Sequence, residues 1–374
     1  MIKSKNIIIG PAFPLRGGIA NFNNSLCKAF VKAGIDSKIF SFSLQYPSFL
    51  FPGKTQYESG DPPKEIKIET LINSINFFNW IRIAFKIRRE KPNYVIIRYW
   101  LPFMAPCLGT IARIIKWNTS IKVISITDNV IPHEKRIGDS FLTSYFVKSC
   151  DAFITLSHSV LEDLSRFTKN TNKKFIPHPI YDNFGEIINK EKAQIKLGLK
   201  KSEKYLLFFG FIRKYKGLDI LLNALSDKRL KDVKLIVAGE FYDDINFYKD
   251  LILKLKISNQ VIFKDEFIDS KDVKFYFSAS DMVVQTYRSA TQSGVTQIGY
   301  HFNKPMLVTN VGGLSEIIPH NKVGYVTSID PKEIADSIFD FYSNKREKEF
   351  SLNSKIEKNK FTWKSLVSTI EGMI

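Results

Sequence analysis

Short apolar runs, each followed by turn residues and then by apolar positions at helical spacing, recur along this chain. They narrow its fold more than any other feature. Asn6 to Gly10 (NIIIG), Tyr94 to Tyr99 (YVIIRY) and Met306 to Thr309 (MLVT) are examples. A strand apolar on both sides must be covered on both faces, the condition of a parallel sheet with crossover helices. In the first half the strands are expected at 6–10, 36–42, 94–99, 122–126, 152–156 and 174–176. In the second half they fall at 205–209, 233–238, 261–263, 282–286, 306–309 and 324–327. Helical spacing predicts helices over 19–33, 71–89, 100–117, 218–225, 294–303 and 364–374, and a further helix after the Gly312-Gly313 turn. The stretch 45–67, rich in Pro and Gly, reads as a long surface loop. Two consecutive strand/helix alternations predict two doubly wound α/β domains. Pro177-His178-Pro179 and Gly185 mark the join, so the domains are expected at 1–180 and 186–358, with 359–374 as a closing segment.

The charge says what such a chain attracts. At 374 residues the formal net charge is +18, which favours polyanions: nucleic acid, phosphorylated small molecules or an anionic membrane. No basic stripe is interleaved with stacking aromatics, so nucleic acid is disfavoured as a partner. Cys27, Cys107 and Cys150 are widely spaced and form no ligand set, which fits a reducing compartment and no structural zinc. The N-terminal MIKSKNIIIGPAF holds too short an apolar run for a signal peptide, and no run reaches the ~18 residues of a spanning helix. The expected location is cytoplasmic, peripheral on the inner face of the cell membrane. Trp100 to Trp117 is apolar nearly all round, with a tryptophan at each end and Arg113 and Lys116 near its finish. It reads either as a buried crossover helix or as a helix at a lipid headgroup boundary.

Ligands of open α/β sheets sit beyond the carboxyl ends of the strands, where helix N-termini present unpaired N–H groups. Three places fit. After the first strand, Arg16 and Gly17-Gly18 lead into a helix; the glycines either cradle an anion or only shape the turn. After 122–126 come Thr127-Asp128-Asn129, then His133 and Glu134, with Asp128 the first choice for a residue facing substrate. In the second half, Arg213 and Lys216-Gly217 follow the first strand, and Gln292-Ser293-Gly294 opens a helix after a later one. Two cations and a helix N-terminus in one crevice are the parts of a diphosphate site, where a leaving group gathers negative charge.

These residues resemble a known family, the retaining nucleotide-sugar glycosyltransferases of family 4, which have the GT-B fold. Lys216-Gly217 is similar to the family's "KG". Asn303-Lys304-Pro305 with Gly312-Gly313 and Glu316 is similar to its "GKP…GG..E". Phe361-Thr362-Trp363 resembles its "FSW" before a closing helix that returns to the first domain, and Gly17-Gly18 matches its N-terminal glycine pair. The resemblance implies two Rossmann-like domains facing across a cleft. It also implies transfer of a hexosyl group, with retained configuration, from a UDP- or GDP-sugar to a hydroxyl of a lipid-linked or cell-envelope glycan. The nucleotide sugar is a substrate, and neither cofactor nor metal is expected. Arg213, Lys216 and Asp128 would be catalytic. Gly18, Phe263, Lys264, Gln292, Ser293, Gly294, Val295 and Gln297 would bind the donor. Gly17, Gly18, Asn129 and His133 would lie on the acceptor side. The sequence departs from the family at Ala290 and Ile298, where its two E-x7-E glutamates would stand, at Phe211 in place of an arginine, and at Thr127 in place of a histidine. These departures keep open a non-catalytic scaffold of the same fold at the membrane, or an epimerase or phosphorylase.

Overall fold

The computed structural model describes residues 4–47, 55–58, 61–132, 136–181, 184–201 and 203–374. The chain divides into two compact units, Met1–Pro179 with Phe361–Ile374, and Ile180–Lys360.

The first unit runs β1 (Lys5–Ile9), α1 (Gly18–Lys32), β2 (Asp36–Leu44), β3 (Lys67–Asn73), α2 (Phe77–Glu90), β4 (Tyr94–Tyr99), α3 (Ala105–Lys116), β5 (Lys122–Thr127), α4 (Asp139–Val147), β6 (Ala152–Thr155), α5 (His158–Ser165) and β7 (Lys173–Phe175). The second runs α6 (Lys190–Lys196), β8 (Lys204–Phe209), α7 (Leu218–Leu225), β9 (Val233–Ala238), α8 (Ile245–Leu255), β10 (Val261–Lys264), α9 (Val273–Ala279), β11 (Met282–Gln285), α10 (Gly294–His301), β12 (Met306–Thr309), β13 (Gly324–Thr327), α11 (Pro331–Ser343) and α12 (Glu347–Glu357). The last helix, α13 (Trp363–Glu371), belongs to the first unit.

Both sheets are parallel. Their orders are β3-β2-β1-β4-β5-β6-β7 and β10-β9-β8-β11-β12-β13. In each unit the chain winds outward from its first strand, then returns to the other side of it. The winding therefore reverses between β1 and β4, and again between β8 and β11. At such a reversal the loops after adjacent strands part in opposite directions and leave a crevice at the carboxyl edge. The loops after β1, β4, β8 and β11 border these crevices; Gly17, Arg213, Lys216, Gln292 and Ser293 lie in them, whereas Asp128 and Asn129 follow β5 and Phe263 and Lys264 end β10. The inner strands are buried over most of their length, as the sequence pattern requires, and every residue of β4 is enclosed.

Three expectations need correction. Lys67–Asn73 is a strand, not loop and helix start; it is an edge strand, half-exposed, and so lacks the apolar run of an inner one. The helix that follows begins at Phe77, because Asn76 caps it by accepting from Asn79 N at 3.0 Å. Gly312–Leu314 is a single 3-10 turn rather than an α-helix. Trp100–Trp117 is not one helix: a 3-10 turn at Pro102–Met104 precedes α3. The burial of Cys107, Leu108, Ile111, Ala112 and Ile115 makes α3 a crossover helix of the core. Trp100 is buried and its Nε1 donates to Tyr46 Oη at 2.7 Å, so it does not mark a lipid boundary.

The closing helix is tied into the first unit by packing and polar contacts. Trp363 meets Phe22 edge-on at 5.0 Å, Tyr94 Oη donates to Glu371, and Asn172 Nδ2 donates to Met373 O at 3.2 Å. Leu366 and Ile370 of α13 are fully buried. Leu366→Ala should therefore destabilise the protein by about 2–5 kcal/mol, the cost of a buried leucine and its cavity. Thermal unfolding followed by circular dichroism checks this; an unchanged melting temperature would mean that α13 is not part of the folded core.

Candidate functional site

In the second unit the loop from Gly210 to Gly217 connects β8 to α7, and the loop from Thr286 to Ser293 connects β11 to α10. Because β8 and β11 are neighbours with divergent windings, the two loops meet. Thr286 Oγ1 donates to Gly217 O at 2.8 Å, and Arg288 N donates to Tyr215 O at 2.7 Å. Arg288 also grips Asp219 in the first turn of α7, with Nη1 to Oδ1 at 2.8 Å. Gly217 has φ +66, and a Cβ there would come within 2.0 Å of Thr286 O, so the contact admits only glycine.

Lys216 is held inside this junction. A Cβ added at Gly210 would lie 3.1 Å from Lys216 Nζ and 3.7 Å from Val295 Cγ2, so the ammonium folds back toward the first turn of α10. Its Nζ sits over the Tyr287 ring, 5.6 Å from the centroid, and Tyr287 Oη is 3.5 Å from Ser293 Oγ. Among the described residues Lys216 has no carboxylate partner. Burial, helped by the nearby charge of Arg213, pushes its pKa down to about 7. Arg213 lies over the Tyr242 ring at 4.8 Å, also without an acidic partner among the described residues. Arg213, Lys216, Ser293, Gly294 and Val295, which the sequence suggested together, lie at one carboxyl edge. The N–H groups of Gly294 and Val295, at the start of α10, have no acceptor within the helix. Cations without counter-charge beside a helix start form an anion site.

Other expected donor residues fall elsewhere. Phe263 packs against Phe241 at 5.4 Å and joins the core, while Lys264 continues β10, its carbonyl accepting from Gly239 N at 3.0 Å. Instead, Phe211, Tyr242 and Phe267 form a stacked aromatic set, with Phe211 4.7 Å from Tyr242 and 6.1 Å from Phe267. Sequence reasoning missed it because its members come from three separate loops. Ala290 lies beneath the Gly312 turn, where a Cβ on Gly312 (φ +47) would come 1.6 Å from Ala290 O. Gln292 is half-buried at the same loop. Gln297 is fully buried, and neither its Oε1 nor its Nε2 has a hydrogen-bond partner among the described residues.

In the first unit, Gly17 and Gly18 stand where expected, at the cap and first residue of α1. Asp128 is different from the expectation. It is buried at the end of β5, and both its oxygens accept from Arg98: Nε to Oδ2 at 2.7 Å and Nη2 to Oδ1 at 2.5 Å. Its carboxylate therefore neutralises a buried guanidinium instead of standing open to a substrate. Arg98 also lies 3.8 Å over the Phe22 ring, and its Nη1 has no partner among the described residues. His178 meets Phe22 edge-on at 4.9 Å; burial, with Arg98 nearby, pushes its pKa down to about 3, so it is neutral. Asn129 follows Asp128 with an unpartnered Oδ1, and His133 lies outside the described residues. A signal for Arg98 did exist: a lone cation inside the apolar run YVIIRY must be buried and must find an anion. Among the described residues no group of three or more His, Cys, Asp or Glu side chains could hold a metal ion.

An amide buried without partners costs about 1–3 kcal/mol. Gln297→Met should therefore raise the melting temperature of the free protein by a few degrees. If Gln297 is paired only when a ligand is bound, the same change should also shrink the ligand-induced rise in melting temperature. A lower melting temperature for the variant would contradict the unpaired state.

Residues 189–361 match the family model described as glycosyl transferases group 1. The spore coat protein SA of Bacillus subtilis is 28% identical over 206 residues, 52% of this chain and 54% of that protein. The chain spans about half the length of the curated relatives it matches first, 54% and 59%. Among solved structures, a sucrose-phosphate synthase from Thermosynechococcus elongatus superposes with a TM-score of 0.77 at 15% identity, covering 99% of this chain and 98% of that one. The Anabaena protein HepE in complex with UDP superposes with a TM-score of 0.75 at 15% identity, covering 98% of each chain. At such identities these likenesses show the fold, two Rossmann-like units of the GT-B class. Residues 189–361 are thus similar to the glycosyl transferases group 1 model, within a chain that has the GT-B fold.

Proposed function

We propose that this chain is a retaining glycosyltransferase that moves a hexosyl group from a nucleotide diphosphate sugar to a hydroxyl of a lipid-linked or cell-envelope glycan. The observation that carries this reading is the Lys216 ammonium, buried beside the start of α10 with no carboxylate to balance it among the described residues. A buried cation without a partner is costly, and a diphosphate would supply the missing charge. In the reaction the bond from the anomeric carbon to the phosphate oxygen breaks, a bond to the acceptor oxygen forms as the acceptor hydroxyl's proton passes to an oxygen of the departing diphosphate, and negative charge gathers on that diphosphate. Lys216, Arg213 and the amides at Gly294 and Val295 face that charge as it grows, and protein cations then take the part a metal would play. A UDP- or GDP-sugar would supply such a diphosphate. That HepE, a protein of like fold, binds UDP supports a nucleotide diphosphate as donor. The base would stack on Phe211, Tyr242 and Phe267 rather than on Phe263, which is half-buried against Phe241. The acceptor would approach Gly17, Gly18 and Asn129, with the Arg98–Asp128 pair fixing the strand ends beneath it, and would be carried at an anionic membrane surface.

The site's charge makes the reading testable. Lys216 must be protonated to hold a diphosphate, and its pKa in the free protein is about 7. As pH rises above that value, more of the free protein carries the neutral amine, so UDP and GDP should bind more weakly from pH 7 to pH 9. Binding should also take up protons in this range. Lys216→Arg keeps the charge and should flatten the dependence, whereas Lys216→Ala should lower transfer by roughly 10²- to 10³-fold. Calorimetric titration in two buffers of different ionisation enthalpy reads both effects. If neither nucleotide binds, the donor reading fails and a scaffold takes its place. Product analysis separates transfer from epimerisation, which releases an isomer, and from phosphorolysis, which consumes inorganic phosphate.

A further inference from the structure

The outward side of α2 is not the polar face expected of a surface helix. Phe78 is 80% exposed and Phe85 42%, and Arg82 and Arg89 are exposed beside them. Positions 78, 82, 85 and 89 follow helical spacing and so share one side. The opposite side, Ile83, Ala84 and Ile87, is buried. Ile75 and Phe77, both exposed, extend the stripe past the helix start. At the other end Arg88 lies 5.4 Å over the Phe85 ring, and its Nη1 donates to Ile114 O at 3.4 Å. That contact brings the end of α3 alongside, where Trp117 is 69% exposed. Single exposed apolar residues are ordinary, but aromatic residues aligned with cations are not.

The charge pattern says what would cover this face. From Leu71 to Thr127 the only acidic residue is Glu90, against nine lysines and arginines. Glu90 is turned away from the stripe onto Lys5 and Lys38, at 3.4 and 2.6 Å. Lys86 is paired with Glu69 at 3.1 Å, but Arg82 and Arg89 have no acidic partner among the described residues. Aromatic rings seek the boundary between headgroups and acyl chains, and free guanidinium groups seek phosphates. We propose that the outer side of α2, with Trp117 beside it, is the surface by which this chain lies on an anionic membrane. Among the described residues no helix is long and apolar enough to cross a membrane, so the contact is superficial. This inference rests on the lipid-linked acceptor proposed above and gives it a geometry. Phe77 and Phe78 come just after the carboxyl end of β3, and all strands of this sheet are parallel. The apolar end of α2 therefore lies at the same edge as Gly17 and Asn129, and an acceptor on a lipid would meet the strand ends at headgroup level.

The test is co-sedimentation of the full chain with vesicles of phosphatidylcholine alone, or mixed with phosphatidylglycerol. Binding is expected only to the mixed vesicles, weakening as salt rises. Phe78→Ser with Phe85→Ser, and separately Arg82→Glu with Arg89→Glu, should each lower the partition coefficient by at least about tenfold. Leu352→Ser removes an exposed apolar residue of the second unit and should leave binding unchanged. The UDP- or GDP-induced rise in melting temperature is measured on the same proteins. Variants that keep this rise but lose the vesicles are folded and support the proposal. Equal binding of the variants and the original chain, equal binding to both vesicle types, or no binding at all would overturn it. So would a dimer seen in sedimentation velocity that Phe78→Ser with Phe85→Ser dissolves, since the face would then belong to a second copy. A missing nucleotide response in the unaltered chain would count against the donor reading alone, with the vesicle result standing on its own.

Discussion

A strand hydrogen-bonded on both edges and covered on both faces has nothing left to offer a ligand except its ends. The rest of this protein's organisation follows from that constraint. The inner strands are paired on both sides, and their side chains are enclosed by helices above and below. Polar groups must therefore collect in the loops past the strand ends, and the reversal of winding decides which loops meet. In the second unit the loops after β8 and β11 meet, and Gly217 lets them touch at backbone distance. The ammonium of Lys216 is buried because that junction closes over it.

The two units use the same edge in opposite electrostatic ways. In the second, two cations share a junction with no carboxylate among the described residues, and the buried amine responds by giving up its proton more readily. In the first, the buried guanidinium of Arg98 is paired through Nε and Nη2 with Asp128 and backed by the ring of Phe22. Breaking such a buried pair leaves one charge stranded, so its partners are fixed in place. The cation pair of the second unit has room for an anion's charge, whereas the first unit's guanidinium already has a carboxylate. An aspartate at a strand end thus has two quite different meanings, and only its neighbours choose between them.

Much of this was legible in the residues. Apolar runs long enough for strands but too short for helices, repeated with helical stretches between, leave little besides a pair of doubly wound sheets. Lys216-Gly217 and the small residues before Gly294 also pointed to the anion site, because both follow strands. What failed did so for local reasons. Lys67–Asn73 is an edge strand with one side in solvent, so it carries no apolar run. Trp100 to Trp117 reads as one apolar helix, but a 3-10 turn at Pro102–Met104 divides it before α3.

By itself, then, the sequence determined the two sheets, their carboxyl edges and the cations beside them, because burial on both faces is written directly into composition along the chain. Only the tertiary structure decided which of those side chains are free. That choice depends on partners distant in sequence: Arg98 for Asp128, Thr286 for Gly217, and Tyr242 and Phe267 for Phe211. It also decided which aromatic residues stay outside, since Trp100 and Phe78 look alike in sequence but differ in what packs over them. Pairing across loops is a property of space rather than of spacing, so no reading of one stretch could have supplied it.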